Sequence, residues 1–156
     1  MCIRDSSKDE LKKLKVEFWE SFAAYCEVQP YLRRRRKMWV LYNTKVKGME
    51  LKFDVNRNGA YVILEVNHRQ EDERLEAFEK LTWYKEVLEK DFPEGLIWDI
   101  CYIRETGNQV ARIYTKKEGI DFHRRSDWGE FFSFMARQMY LLERNFMSIA
   151  EYLKEV

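Results

Sequence analysis

A chain of 156 residues that is 46% hydrophobic and 35% charged can bury one well-filled core beneath a charged shell, which excludes a largely disordered polymer. Its 28 Lys and Arg balance 27 Asp and Glu, leaving no global basic field for non-specific nucleic-acid binding, so any such binding has to be local. No apolar run approaches the roughly 20 residues of a bilayer span and no secretory leader is evident, so the expectation is a cytoplasmic protein away from the membrane.

The opening residues Met1–Ser6, MCIRDS, read as the translation of a transposase sequencing adapter, so residues 1–6 are set apart, a single domain is expected over 7–156, and the native start is expected to lie elsewhere. Ser7-Lys-Asp-Glu10 has the form of a capping box and predicts a helix start. Leu11, Leu14, Phe18, Phe22, Tyr25 and Cys26 then place one apolar stripe toward a core, and Pro30 predicts an end by about residue 28. After five consecutive cations, Arg33, Arg34, Arg35, Arg36 and Lys37, the β-branched and aromatic run Met38–Tyr42 predicts a strand closed by a turn at Gly48.

Residues 49–55 alternate, with Met49, Leu51, Phe53 and Val55 on one face and Glu50, Lys52 and Asp54 on the other. Asn58-Gly59 predicts a type I′ hairpin turn, and counting outward pairs Val55 with Val62, Phe53 with Leu64, Leu51 with Val66 and Lys52 with Glu65.

Residues 70–91 predict a second helix with Leu75, Phe78, Leu81, Tyr84 and Leu88 inward, stopped at Phe92–Gly95. Residues 96–104 and 109–115 predict a second hairpin across Glu105–Asn108. Asp127 is placed to cap a last helix whose Trp128, Phe132, Met135, Met139, Leu142, Phe146, Ile149 and Leu153 form a continuous apolar seam. The resulting fold is α+β, in the order α-βββ-α-ββ-α, with a mostly antiparallel five-stranded sheet and helices packed chiefly on one face.

Cys2, Cys26 and Cys101 lack a CxxC pair and read as reduced core thiols rather than a disulfide or zinc framework. His68 and His123 are too few for a metal cluster and suit surface positions, and neither a nucleophile motif nor a phosphate-binding glycine loop is present. No cofactor and no metal are expected. The predicted register sets Asp54 and Glu65 diagonally on one sheet face, where two carboxylates can share a divalent ion with Lys52 beside them. The simpler reading is a cross-strand ion pair between Lys52 and Glu65. Arg33 to Lys37, with Tyr31 and Trp39, form a basic and aromatic stretch suited to phosphates and unpaired bases, against the reading of a solvated loop. The seam over residues 127–155 suits a homodimer, or more simply packing against the domain's own sheet.

Several short motifs occur together: Glu17-Phe-Trp19 with Phe22, Trp39-x-x-Tyr42-x-Thr44, Arg112-Ile-Tyr114, and Ser126-Asp-Trp128 followed by Phe131-Phe-x-Phe134. In combination, over residues 15–156, they resemble a bacterial and archaeal family known as domain-of-unknown-function family 4268. The resemblance implies this fold and supplies no catalytic residues; Gly129 stands where relatives often carry proline. Members of that family stand alone or are appended to nuclease-like domains, which implies nucleic acid, or a nuclease or defence protein, as the partner by association. The element order also resembles the restriction-endonuclease core, but the third strand reads Glu65-Val-Asn67 where that core carries a lysine. The expectation is a non-enzymatic binding or accessory module, with a metal-dependent phosphodiesterase using Asp54 and Glu65, or a homodimerisation domain, as alternatives.

Overall fold

The alternating residues Met49–Val55 and the apolar run Gly59–Val66 form two antiparallel strands, β1 and β2, in a computed structural model that describes residues 3–32, 44 and 46–154. Leu51 lies opposite Leu64 and Phe53 opposite Val62, a register two residues away from the one counted from Asn58-Gly59. The cause is the turn. Asn56 closes it, its Oδ1 accepting the backbone N–H groups of Asn58 at 2.8 Å and Gly59 at 2.9 Å, and neither Asn58 nor Gly59 takes the positive φ of a type I′ turn. Because the slip is an even number, every apolar side chain keeps its face. Lys52 now lies opposite Ile63.

Strands β3 (Ile97–Ile103) and β4 (Gln109–Glu118) complete a four-stranded sheet of order β1-β2-β4-β3, in which each neighbouring pair is antiparallel. β2 and β3 therefore run in the same direction with β4 between them, and the helical crossover from β2 makes a split β-α-β unit. The described residues supply four strands where five are expected; the missing one, Met38–Tyr42, lies outside the described residues.

Helices α1 (Ile3–Glu27), α2 (Glu71–Thr82), the single turn α3 (Lys85–Leu88) and α4 (Trp128–Lys154) contribute to one apolar core. Leu51, Val62, Leu64, Val66, Ala111 and Ile113 face it from the sheet, while Phe18 and Phe22 of α1 and Phe78 and Leu81 of α2 meet them from the helices. Phe18 is the hub, with edge-on contacts to Trp19, Trp128 and Phe131 at ring separations of 5.2, 5.2 and 5.6 Å. Every residue of the α4 seam, from Trp128 to Leu153, is buried in this core, so the domain itself uses the seam.

Several expectations are corrected. α1 begins at Ile3, so its start is not set by a capping box at Ser7. The helix expected over 70–91 breaks at Trp83 and Tyr84, whose N–H groups bond three residues back to Lys80 and Leu81; the bend lets Leu81 and Leu88 both reach the core, while Leu75 stays exposed. Cys101 is exposed rather than buried, because it sits on an edge strand where a register shift between Asp99 and Tyr102 interrupts the alternation. Cys26 packs half-buried against the core.

Candidate functional site

Residues paired across a ladder project to the same face, so the second face of the sheet reads as rows. Asp54, Tyr61 and Lys116 make one; Lys52, Ile63, Tyr114 and Ile97 the next; Glu50, Glu65, Arg112 and Asp99 the third. Ile63 and Val110 are buried on this face yet stand outside the main core cluster. The tyrosines and long charged side chains of the strands shield them. Tyr61 and Tyr114 meet across β2 and β4 with ring centroids 6.4 Å apart, and both remain half-exposed.

Glu65 is the organising group. Its side chain is 0% exposed, its Oε1 accepts Lys52 Nζ at 3.0 Å and Asn67 Nδ2 at 3.2 Å, and its Oε2 accepts Arg112 Nη2 at 3.5 Å. Arg104 Nη2 is a further donor to Oε1. Burial pushes the Glu65 carboxyl up, but the hydrogen bonds and charge of Lys52, with those of Arg104 and Asn67, outweigh it and hold the group below the usual glutamate range. The Arg112 guanidinium lies 3.7 Å from the Tyr102 ring centroid, and its Nε is buried without a partner.

Asp54 lies two rows from Glu65, about 13 Å along the strands at the usual rise per residue. The structure does not bring the two carboxylates together, and Glu65 has its oxygens occupied by cations. Among the described residues no group of three or more His, Cys, Asp or Glu is arranged to hold a metal ion. Lys52 does reach Glu65, so the ion pair read from the sequence exists, reached on a diagonal. Arg33, Arg34, Arg35, Arg36, Lys37 and Trp39 lie outside the described residues. Tyr31, just before them, packs edge-on to Tyr140 at 5.3 Å with the Arg137 guanidinium 5.5 Å from its ring centroid.

Arg104, Arg112, Asn67 and Tyr102 complete the network and were not singled out by sequence chemistry. For Arg112 the signal is the even-numbered alternation of Arg112, Tyr114 and Lys116, visible only once the last strand is known to be central in the sheet; Arg104, Asn67 and Tyr102 lie outside that strand and carry no such pattern.

A second feature sits at the sheet's end, where a cleft of about 560 Å³ is walled by Lys47, Glu73, Glu76 and Lys80, with Val46 and Leu153 also lining it. His68 belongs to this cleft rather than to open surface. Burial first of all pushes its pKa down, and its Nδ1 is enclosed without a partner. His123, by contrast, is an exposed residue whose Nδ1 lies 3.3 Å from Asp121. Among the described residues no helix is long and apolar enough to cross a membrane.

A family model described as a domain of unknown function, DUF4268, matches residues 14–150. No curated protein and no solved structure matches the chain.

Proposed function

The chain belongs to the DUF4268 family, and on that premise we propose that it is a non-enzymatic accessory module that receives a protein partner on the second face of its sheet. The observation that carries this reading is the composition of that face. Tyr61, Tyr102 and Tyr114 stand on three adjacent strands with Ile97 among them, and the Arg112 guanidinium lies over the Tyr102 ring. Tyrosine, arginine and aliphatic side chains of this kind form the energetic centres of protein interfaces. The cations are matched by Glu50, Asp54, Glu65 and Asp99 on the same rows, a balance that suits a protein surface better than a polyanion. The buried Glu65 serves as the pin of the face, and a carboxylate already bonded to Lys52, Arg104 and Arg112 is poorly placed to ligate a metal, which weighs against the phosphodiesterase alternative.

The family resemblance directs the search for that partner to nuclease-like and defence-related proteins. A photo-crosslinking amino acid placed at Tyr114, and as a control at Lys13 on α1, is tested in cells carrying the native protein. A discrete protein adduct from position 114 alone is the expected result; equal labelling from both positions, or adducts with nucleic acid only, overturns the reading.

A second reading concerns nucleic acid at Arg33 to Lys37 and Trp39, favoured by the Arg137 guanidinium that extends the basic character beside Tyr31. Arg34→Ala with Arg35→Ala is expected to weaken salt-dependent binding of an oligonucleotide, and unchanged affinity sinks it. Self-assembly through residues 127–155 is the remaining reading. With its seam inside the core, it requires the outer side of α4, where Met147 and Tyr152 are exposed, and a monomeric mass in solution removes it.

A further inference from the structure

The second face of the sheet holds more cationic hydrogen-bond donors than its one buried carboxylate can accept. Lys52, Arg104 and Arg112 all converge on Glu65; among the described residues Lys52 alone of the three forms a second ion pair, to Glu50 at 3.6 Å, while the charge of Arg112 also acts at longer range on Asp54. Among the described residues neither guanidinium forms a second ion pair. Arg112 is the more constrained of the two: its side chain is 15% exposed, its Nε has no partner, and its contact to Glu65 is long at 3.5 Å. A guanidinium held over an aromatic ring, its Cζ 3.7 Å from the Tyr102 centroid, has lost rotamer freedom, so a planar anion docking against its fork meets a pre-ordered donor pair.

We propose that the Arg104 and Arg112 pair is an anchor for an acidic side chain, an aspartate or glutamate carried by the protein partner that docks on this face. The inference rests on the accessory-module reading above and adds the chemistry of what is recognised. The incoming carboxylate takes the guanidinium N–H groups that Glu65 leaves unused, while residues flanking it in the partner cover Tyr102, Tyr114 and Ile97. A single carboxylate fits better than a run of phosphates. The exposed Glu50 and Asp54 stand on the same face, and a polyanion crossing the sheet would meet them.

The test begins with a random peptide library selected on the full chain. The enriched peptide is then made in two forms, with its acidic residue and with the matching amide, and both are titrated into isotope-labelled protein. The acidic form is expected to bind about tenfold more tightly than the amide, the scale of one charge-assisted hydrogen bond. It is also expected to shift the Nε–Hε resonance of Arg112. Arg112→Lys, which keeps the charge and loses the fork, and Arg104→Gln, at a more exposed position, are each expected to remove that preference. Equal affinity for the two peptides, mapped to Tyr61 and Tyr114, overturns the anchor and leaves the docking face standing. Selected peptides that perturb only the helical side overturn both, and tighter binding of an oligothymidylate on this face overturns the choice of a protein partner.

Discussion

Lys52 reaches Glu65 on a diagonal across β1 and β2, Nζ to Oε1 3.0 Å, although the residue directly opposite Lys52 is Ile63. The contact holds the carboxylate that is fully buried at the centre of the second face, and that carboxylate is shared with Arg104 and Arg112. Removing a buried ion's partner costs about 3–5 kcal/mol in general; here the cations are partly hydrated, so Glu65→Gln is expected to cost about 2–3 kcal/mol. In thermal unfolding that corresponds to a fall of roughly 5–10 °C. The sign with pH follows from the depressed carboxyl. Glu65 contributes fully above its ordinary value of 4.5, and the contribution disappears as pH falls through the lower folded value. Wild type and Glu65→Gln are therefore expected to converge in urea stability in strong acid. A gap that stays constant with pH rejects an ionised Glu65.

The β1–β2 turn separates two accounts of the same residues. In a type I′ turn Asn58 would carry the strain of a positive φ, and replacing it would be costly. In the observed turn Asn56 does the work, accepting two backbone N–H groups as a helix cap would. Asn56→Ala is expected to cost about 1–2 kcal/mol and Asn58→Ala less than about 0.5 kcal/mol in urea denaturation. The reverse order rejects the observed register.

That turn also shows what the sequence could and could not disclose. Alternation in residues 49–55 fixes which side chains face the helices, because a period of two survives an even slip. It does not fix which residues are opposite, and so the counted register sets Asp54 and Glu65 on a diagonal one row apart, when they stand two rows apart. Gly59 was legible as special for the wrong reason: a Cβ there would sit 2.1 Å from the Lys117 carbonyl, a close approach of β4 that appears only once the strand order is known. The α4 seam was legible almost in full, since a 3.6-residue period over such a length has few alternatives. The Arg104 and Arg112 cluster was not, because its members come from all four strands and from two loop positions, Asn67 and Arg104, far apart in the chain.

Gly48 and His68 are coupled by contact. Gly48 has φ +79°, and a Cβ built on it would lie 2.3 Å from His68 Nε2. Gly48→Ala therefore meets both a left-handed backbone penalty and a clash, together about 3 kcal/mol. In a His68→Ala background the clash is gone, so the same substitution is expected to cost only about 1–2 kcal/mol. Equal costs in the two backgrounds reject the contact. Burial of His68 adds a pH signature. A folded pKa below the ordinary 6.5 means the unfolded chain takes up the proton first, so stability is complete above 6.5 and declines as pH falls below it. His68→Ala is expected to flatten that decline.

Asn145 is the one polar residue in the buried face of α4, 2% exposed between Leu142 and Phe146 of the seam. Its Nδ2 donates to the carbonyls of Leu88 at 3.0 Å and Lys90 at 2.8 Å, and the neighbouring Arg144 donates to Asp91 at 2.6 Å. Asp91 takes the left-handed conformation, φ 68°, that turns the chain from α3 toward β3. An isosteric leucine would suit the apolar seam but leave two carbonyl groups without their donor, so Asn145→Leu is expected to destabilise the domain by about 2–4 kcal/mol despite its greater hydrophobicity. Hydrogen exchange distinguishes this from a general packing defect. Amides over residues 88–96 are expected to lose protection beyond the global change while those of β2 follow it, because the bonds removed fasten only the α3 end of the crossover. Uniform loss of protection across the sheet would mean that Asn145 acts through α4 packing alone.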